Sequence, residues 1–307
     1  MKRTAIFSFV LLILGLQNAS GLNFLTYYQT INKAEIAHLD KDYGKADSLY
    51  QFAFNLVDKP FKNDYLLAAV NSDLLAENGR TYEYLVEGIS VGLTIKSIRK
   101  HLSTFKKSKE WKILREKYDS LHQEYVGGLN TVLRTELLSM VDSDQAARHP
   151  IFGSLRKMES TDSLNYERLS EIIIANNGKW PGRSLIGDGK EGDKYAYGEI
   201  TIMLHHFTSE QVNNLKPILV DAILRGDLSP YNAAYPLDYK NLVRIGNINK
   251  SSYDICFLIG SYIGHAGKKP VICDCEKAEG EREKLGLEPL NDYFRKRSTT
   301  FECYYEE

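Results

Sequence analysis

The stretch His205-His206-Phe207-Thr208-Ser209-Glu210-Gln211 sets two adjacent imidazoles directly before a Thr-x-x-Gln signature. Imidazole is the side chain whose ordinary pKa lies closest to neutrality, so a histidine oriented by a carboxylate makes a natural general base. Thr208 and Gln211 have the spacing of a capping box, and Phe207 and Val212 that of a hydrophobic staple. Glu210 falls in the first turn, where the helix dipole favours an acid. A helix is therefore predicted from Ser209, and His205 and His206 end the element before it. Adjacent helical residues diverge by about 100°, so the two rings are not expected to share a metal. No His-x-x-x-His or His-Glu-x-x-His spacing accompanies them.

A general base needs an orienting carboxylate and, for most hydrolyses, a cation for developing negative charge. Asp144 and Arg148 supply both types at i,i+4 spacing, on one face of a predicted helix. Their ordinary role would be a surface ion pair, worth about 0.3–0.5 kcal/mol. Gln145, about 100° further round, could address a different neighbour. A second candidate carboxylate, Asp238, is implied only by the resemblance described below. If Asp144, Arg148, His206 and Asp238 converge, His206 is the base, a carboxylate orients it and Arg148 holds an anion.

Gly187–Gly192 matches Gly-x-Gly-x-x-Gly in form, but only Ser184-Leu185-Ile186 precedes it, and Asp188 and Glu191 would repel phosphates. Gly182–Gly187 is followed by Asp188 in place of Lys-Ser/Thr, so it is no Walker loop either. No cofactor and no metal is expected.

The chain that must position these residues has 307 of them, with 39 Lys+Arg against 40 Asp+Glu and a net charge of −1. That length suits about two domains. The overall charge gives no footprint for nucleic acid. Lys2 and Arg3, the largely apolar run 5–16, and Ala19-Ser20-Gly21 have the layout of a secretory signal peptide cut before Leu22. The apolar run is shorter than the ~20 residues of a membrane span. An exported protein, periplasmic or secreted, is expected.

Export makes disulfides available to Cys256, Cys273, Cys275 and Cys303. A Cys273–Cys275 ring would be strained, which favours pairing each of them with Cys256 or Cys303. A zinc set of Cys256, His265, Cys273 and Cys275 is the weaker alternative, because Cys-x-Cys is tighter than the usual spacing.

Residues 22–126 read as tetratricopeptide-like helical hairpins. Ala34, Ala46 and Ala53 recur at the small-residue spacings of such a unit, and Ser72, Thr81 and Gly88 take the small positions of a second one with a shorter turn at Gly79-Arg80. Helices are expected near 94–102 and 110–125, the latter with Trp111, Leu114, Tyr118, Leu121 and Tyr125 facing the core. Such a scaffold would take a protein or peptide partner on its concave face. Gly127-Gly128 marks a boundary.

Residues 129–307 read as a mostly helical domain. Helices are expected at Leu129–Ala147, Leu164–Asn176, Tyr195–His206 and Ser209–Arg225, with a kink at Pro217, and a small β-hairpin between Leu242 and Ile263. The fold class is mainly α.

Short motifs in the second half occur in a telling order. They are Asp144-Gln145 with Arg148, Asp162 with Asn165, Gly178 and Trp180-Pro181 with Gly187, His205-His206, Ala234 with Asp238-Tyr239, and Gly286-Leu287-Glu288-Pro289-Leu290. Over about residues 129–295 this order resembles an uncharacterised family of exported bacterial proteins. That family carries a domain of unknown function, sometimes after tetratricopeptide repeats, with Asp-Gln-x-x-Arg, Gln-His and Asp-Arg motifs. His205 stands where the family has Gln, Tyr239 where it has Arg, and Ile259-Gly260-Ser261-Tyr262 where it has Tyr-Gly-Thr-Gln. The resemblance implies no reaction. It does make His206, rather than His205, the functional member of the pair. Mass spectrometry of the exported protein should find Leu22 as the first residue; a retained Met1 would remove the signal-peptide assignment.

Overall fold

A helix of residues 23–39 (α1) opens the described chain and makes contacts far along it. The computed structural model describes residues 23–149, 153–188, 199–240, 243–244, 255–260 and 270–303. The expected signal peptide, most of Gly187–Gly192, residues 195–198 and His265 lie outside these. The architecture is mainly α.

After α1 come α2 (Tyr43–Phe54), α3 (Lys62–Leu74), α4 (Asn78–Ser90), α5 (Ile95–His101), a 3-10 turn (Phe105–Lys107) and α6 (Lys109–Gly127). In this half α2 packs on α3, α3 on α4 and α4 on α6. The small positions do what the spacing asks of them: Ala34, Ala46, Ala53, Ser72 and Thr81 are fully buried. A Cβ on Gly88 would come within 2.9 Å of Leu93 Cδ2 and 3.2 Å of Tyr65 Cβ. Asp47 cross-links the helices from a buried position. It accepts from Tyr84 Oη at 2.9 Å and Gln51 Nε2 at 2.7 Å, and pairs with Arg80. The turn expected at Gly79-Arg80 lies instead before α4, where Ala76 takes φ 58°; Gly79 and Arg80 are already helical. Trp111 and Leu114 of α6 are buried, and Tyr118 and Leu121 pack against the core.

The second half contains α7 (Thr131–Ala147), α8 (Leu155–Ala175), α9 (Arg183–Ile186), a 3-10 turn (Glu199–His205), α10 (Ser209–Leu224), α11 (Pro230–Lys240), α12 (Cys275–Lys284) and α13 (Leu290–Lys296). The long helix α8 starts nine residues before the expected Leu164, because Ser154 caps it by accepting from Lys157 N. The element before Ser209 is a 3-10 turn over its described part, not an α-helix. Pro217 lies within α10, which continues through it. The expected hairpin is present as β1 (Val243–Arg244) antiparallel to β2 (Ile255–Cys256), and β3 (Val271–Ile272) pairs in parallel with β4 (Glu302–Cys303).

Cys275 is bonded to Cys303, closing a sequence separation of 28, and Cys273 is also disulfide-bonded. A loop of that length is worth about 3–4 kcal/mol on the chain-entropy account. The disulfide removes the zinc set, which needed Cys275 as a thiolate.

Gly127-Gly128 ends α6, yet one continuous hydrophobic cluster runs from Tyr27 to Leu287 across that point. The link is α1. Tyr28 donates to the Ile223 carbonyl at 2.9 Å, Asn32 to Asp292 at 2.8 Å, and Glu35 pairs with Lys296. Gly226, at φ +70°, lies against Phe24, where an added Cβ would meet the ring at 2.0 Å.

Tyr27 donates to Asp64 and accepts from Phe61 N at 3.0 Å. Burial, then the nearby Glu35, pushes the Asp64 carboxyl up to about 7; the Tyr27 hydrogen bond, Arg183 and Lys296 oppose this only in part. A carboxyl raised in the fold binds its proton more tightly folded than unfolded, so its contribution to stability falls as pH rises from about 4 to about 7. Asp64→Asn should therefore gain stability relative to the parent on going from pH 5 to pH 8, on the order of 1 kcal/mol or more. Urea melts at the two pH values check this; a constant difference between the proteins contradicts the buried-proton account.

Candidate functional site

Three elements bring the chemistry together. The last turn of α7 carries Asp144, Gln145 and, at its C-cap, Arg148; the middle of α8 carries Asp162; the end of the 3-10 turn leads to His206. The 3-10 turn packs against α7 and α11, while α7 packs along α8. His206 is fixed from behind by the cap of α10. Thr208 Oγ1 accepts from Gln211 N at 3.2 Å, Gln211 Oε1 accepts from Thr208 N at 2.8 Å, and Phe207 and Val212 are buried. The predicted capping box and staple are thus both formed.

Asp144 is not a surface group: its side chain is 0% exposed. A buried carboxylate is costly unless every lone pair finds a donor. Here Oδ1 accepts from Arg148 Nη1 at 2.9 Å and meets His206 Nδ1 at 2.9 Å, while Oδ2 accepts from Gln145 Nε2 at 2.6 Å. Gln145 therefore serves its own neighbour, not a separate one. Arg148 bridges onward, donating from Nη2 to Asp162 Oδ1 at 2.6 Å. When Nδ1 donates to Asp144, the other ring nitrogen, Nε2, is the one left to accept a proton. His206 is 22% exposed, and nothing among the described residues bonds Nε2.

Asp238 does not join this group. It is buried, and its Oδ1 accepts from the backbone amides of Leu258 and Ile259, both at 2.9 Å. The acid was expected at the base because it precedes Tyr239 in a motif, but its lone pairs hold the segment after β2. Asp162 takes the place expected of Asp238. In sequence it was visible only as one half of a family-like motif.

Lys240 at the end of α11 was missed altogether. Burial lowers its ammonium pKa, Asp162 raises it and Arg148 lowers it further, so it faces the same cluster. Its carbonyl accepts from Ser209 Oγ at 2.9 Å. Two carboxylates thus balance a guanidinium and an ammonium around the His206 imidazole.

The ligand atoms of Asp144, Asp162 and His206 lie within 4.8 Å of one another, close enough for a metal. The Arg148 guanidinium already occupies Oδ1 of both carboxylates, so a divalent ion would have to displace one cation with another. The arrangement suits proton transfer better than ligation. A cavity of about 500 Å³ opens elsewhere, lined by Phe24, Tyr125, Arg183 and Arg225 among others. Its guanidinium groups are largely spent: Arg183 on the carbonyls of Lys59, Pro60 and Gly226, Arg225 on Asp221 and Asp227.

His205 points the other way. Its ring lies 4.4 Å from Tyr235 and 5.6 Å from Tyr239, centroid to centroid. Tyr239, where the resembled family has Arg, is an aromatic neighbour here and not an anion holder. Burial, then His206 and Lys240, pushes His205 down to about 4. No protein-family model, no curated protein and no solved structure matches the chain.

A histidine depressed in the fold gives stability that is present above its unfolded pKa and lost as pH falls from about 6.5 to about 4. Replacing His205 with Gln should remove that acid sensitivity, an effect on the order of 2 kcal/mol between pH 7 and pH 4.5. Denaturant midpoints across this range test it; parallel curves for the two proteins would show that His205 is not held neutral.

Proposed function

We propose that the chain is an exported protein whose second half carries a hydrolytic acid–base site, with His206 as general base. The observation that carries this is the His206 Nδ1–Asp144 pair, 2.9 Å long and anchored on a carboxylate with no exposure, with Nε2 left unbonded among the described residues. Nε2 would take a proton from water as its oxygen attacks an acyl or phosphoryl centre of an envelope substrate. The bond to the leaving oxygen then breaks, and that oxygen receives the proton. Asp144 orients the ring and steadies the imidazolium, while Arg148 and Lys240 offset negative charge.

A second reading belongs to the first half, and it is compatible with the first. The buried small residues of α1–α4 support tetratricopeptide-like hairpins that bind a protein or peptide. Phe52 and Leu74 are 55% and 54% exposed there, which leaves apolar surface for such a partner. Because α1 belongs to both halves, a pull-down should use the whole chain.

The catalytic reading is tested with a panel of chromogenic esters and phosphoesters. His206→Ala should lower turnover at least ~100-fold while moving the melting temperature by less than about 2 °C. Asp144→Ala should lose activity and also about 1–3 kcal/mol of stability, because Arg148, Gln145 and His206 lose their shared buried acceptor. A silent wild-type protein, or an undiminished rate in His206→Ala, removes this reading.

A further inference from the structure

Charge is distributed very unevenly along this chain. Residues 96–117 hold Lys96, Arg99, Lys100, Lys106, Lys107, Lys109, Lys112, Arg115 and Lys117 against Glu110 and Glu116, nine basic groups to two acidic. That stretch carries +7 in a chain of net −1, so all the rest carries −8. All nine cations are exposed.

Their setting is continuous. The segment comprises α5, the 3-10 turn and the first half of α6, and the Lys106 ammonium donates to the Arg99 carbonyl at 3.0 Å, tying the turn to the end of α5. Ile98, Leu102, Phe105, Trp111 and Leu114 face inward, so helical geometry sends the cations out. Only Lys109 has a carboxylate partner, Glu110 at a loose 3.8 Å; Lys117 lies 6.0 Å from the Tyr82 ring centre. Like charges crowded without partners repel one another and weaken the fold slightly. Nothing in the packing of this segment requires them.

We propose that residues 96–117 form a docking surface for anionic lipid headgroups. Three observations favour a membrane surface over a nucleic acid. Seven of the nine cations are lysines, point charges suited to a diffuse anionic layer, whereas bidentate phosphate recognition favours arginine. The segment's larger aromatics, Phe105 and Trp111, are buried, so no platform for base stacking is offered. Ile113 is 43% exposed and lies on the outward face of α6 beside Lys109, Lys112 and Lys117, as an apolar contact among cations would. The remaining −8 orients the protein with this side towards an anionic sheet. No helix among the described residues is long and apolar enough to cross a membrane, so the contact is peripheral.

The test is sedimentation of the full chain with vesicles of phosphatidylcholine alone or with about 30% phosphatidylglycerol. The neutral vesicles set the baseline contributed by the apolar run 5–16. Binding above that baseline is expected on anionic vesicles only, and it should disappear near ~0.5 M salt. Joint Lys106→Glu, Lys107→Glu, Lys109→Glu and Lys112→Glu should weaken it at least ~100-fold. Reversing the exposed Lys33, Lys45, Lys179 and Lys277 instead should leave binding much closer to the parent value. Should the reversal variant melt early, the same four positions as Gln give the test, with about tenfold weakening expected. No excess on anionic vesicles, patch variants that bind like the parent, or tighter binding to an oligonucleotide than to vesicles at equal salt would each overturn the assignment.

Discussion

The aromatic face of α1 is the constraint on which the rest of this structure turns. Phe24, Tyr27 and Tyr28 form one cluster with Phe61, and Arg183 lies 3.8 Å from the Phe61 ring centre. The same helix meets α10 through the Tyr28 hydroxyl and α13 through Asn32 and Glu35. Large aromatics bury enough apolar surface to dominate the packing of whatever they join. The first half of the chain would therefore expose this face if it were cut away, and the hydrophobic cluster continues past Gly127-Gly128, where α6 ends.

The second half shows how charges are kept in an interior. Arg282 is fully buried and donates to the carbonyls of Ile259, Gly260 and Glu288, while Asp238 receives the amides of Leu258 and Ile259. One short segment is thus gripped by its carbonyls from one side and its amides from the other. Glu288, nearly as buried, lies 2.8 Å from Lys296, and that ammonium together with a hydrogen bond from Tyr231 holds its carboxyl below the usual range despite burial. The Asp144 cluster follows the same rule with one difference: its imidazole keeps a nitrogen free of described partners.

Local signals in the sequence carried much of this. The cap at Thr208-Gln211 arises from interactions within a few residues and is present, and the small residues of α1–α4 and the stripe of α6 are buried as their periodicity suggests. The site was half legible. Asp144 and Arg148 share a helical face by spacing alone, but the burial of Asp144 comes from the 3-10 turn laid across α7, a contact between residues 62 apart. Asp162 and Lys240 reach the cluster by the packing of α8 and α11, which no periodicity encodes. Asp238 misled because an acid in a motif looks the same whether it faces a base or a pair of backbone amides. The Cys275–Cys303 pairing was one of the arrangements that spacing left open, and the parallel strands β3 and β4 select it.

The reach of α1 also has a consequence in time. Its partners lie 195 residues away at Ile223, 260 at Asp292 and 261 at Lys296. Contacts this distant form slowly, because the closure of long loops precedes their reward. A chain emerging in order from its N-terminus therefore holds α1 short of these partners until residues 292–296 have been made. The part of the core that α1 closes against α10 and α13 is thus completed late, whatever the earlier helices have already formed among themselves.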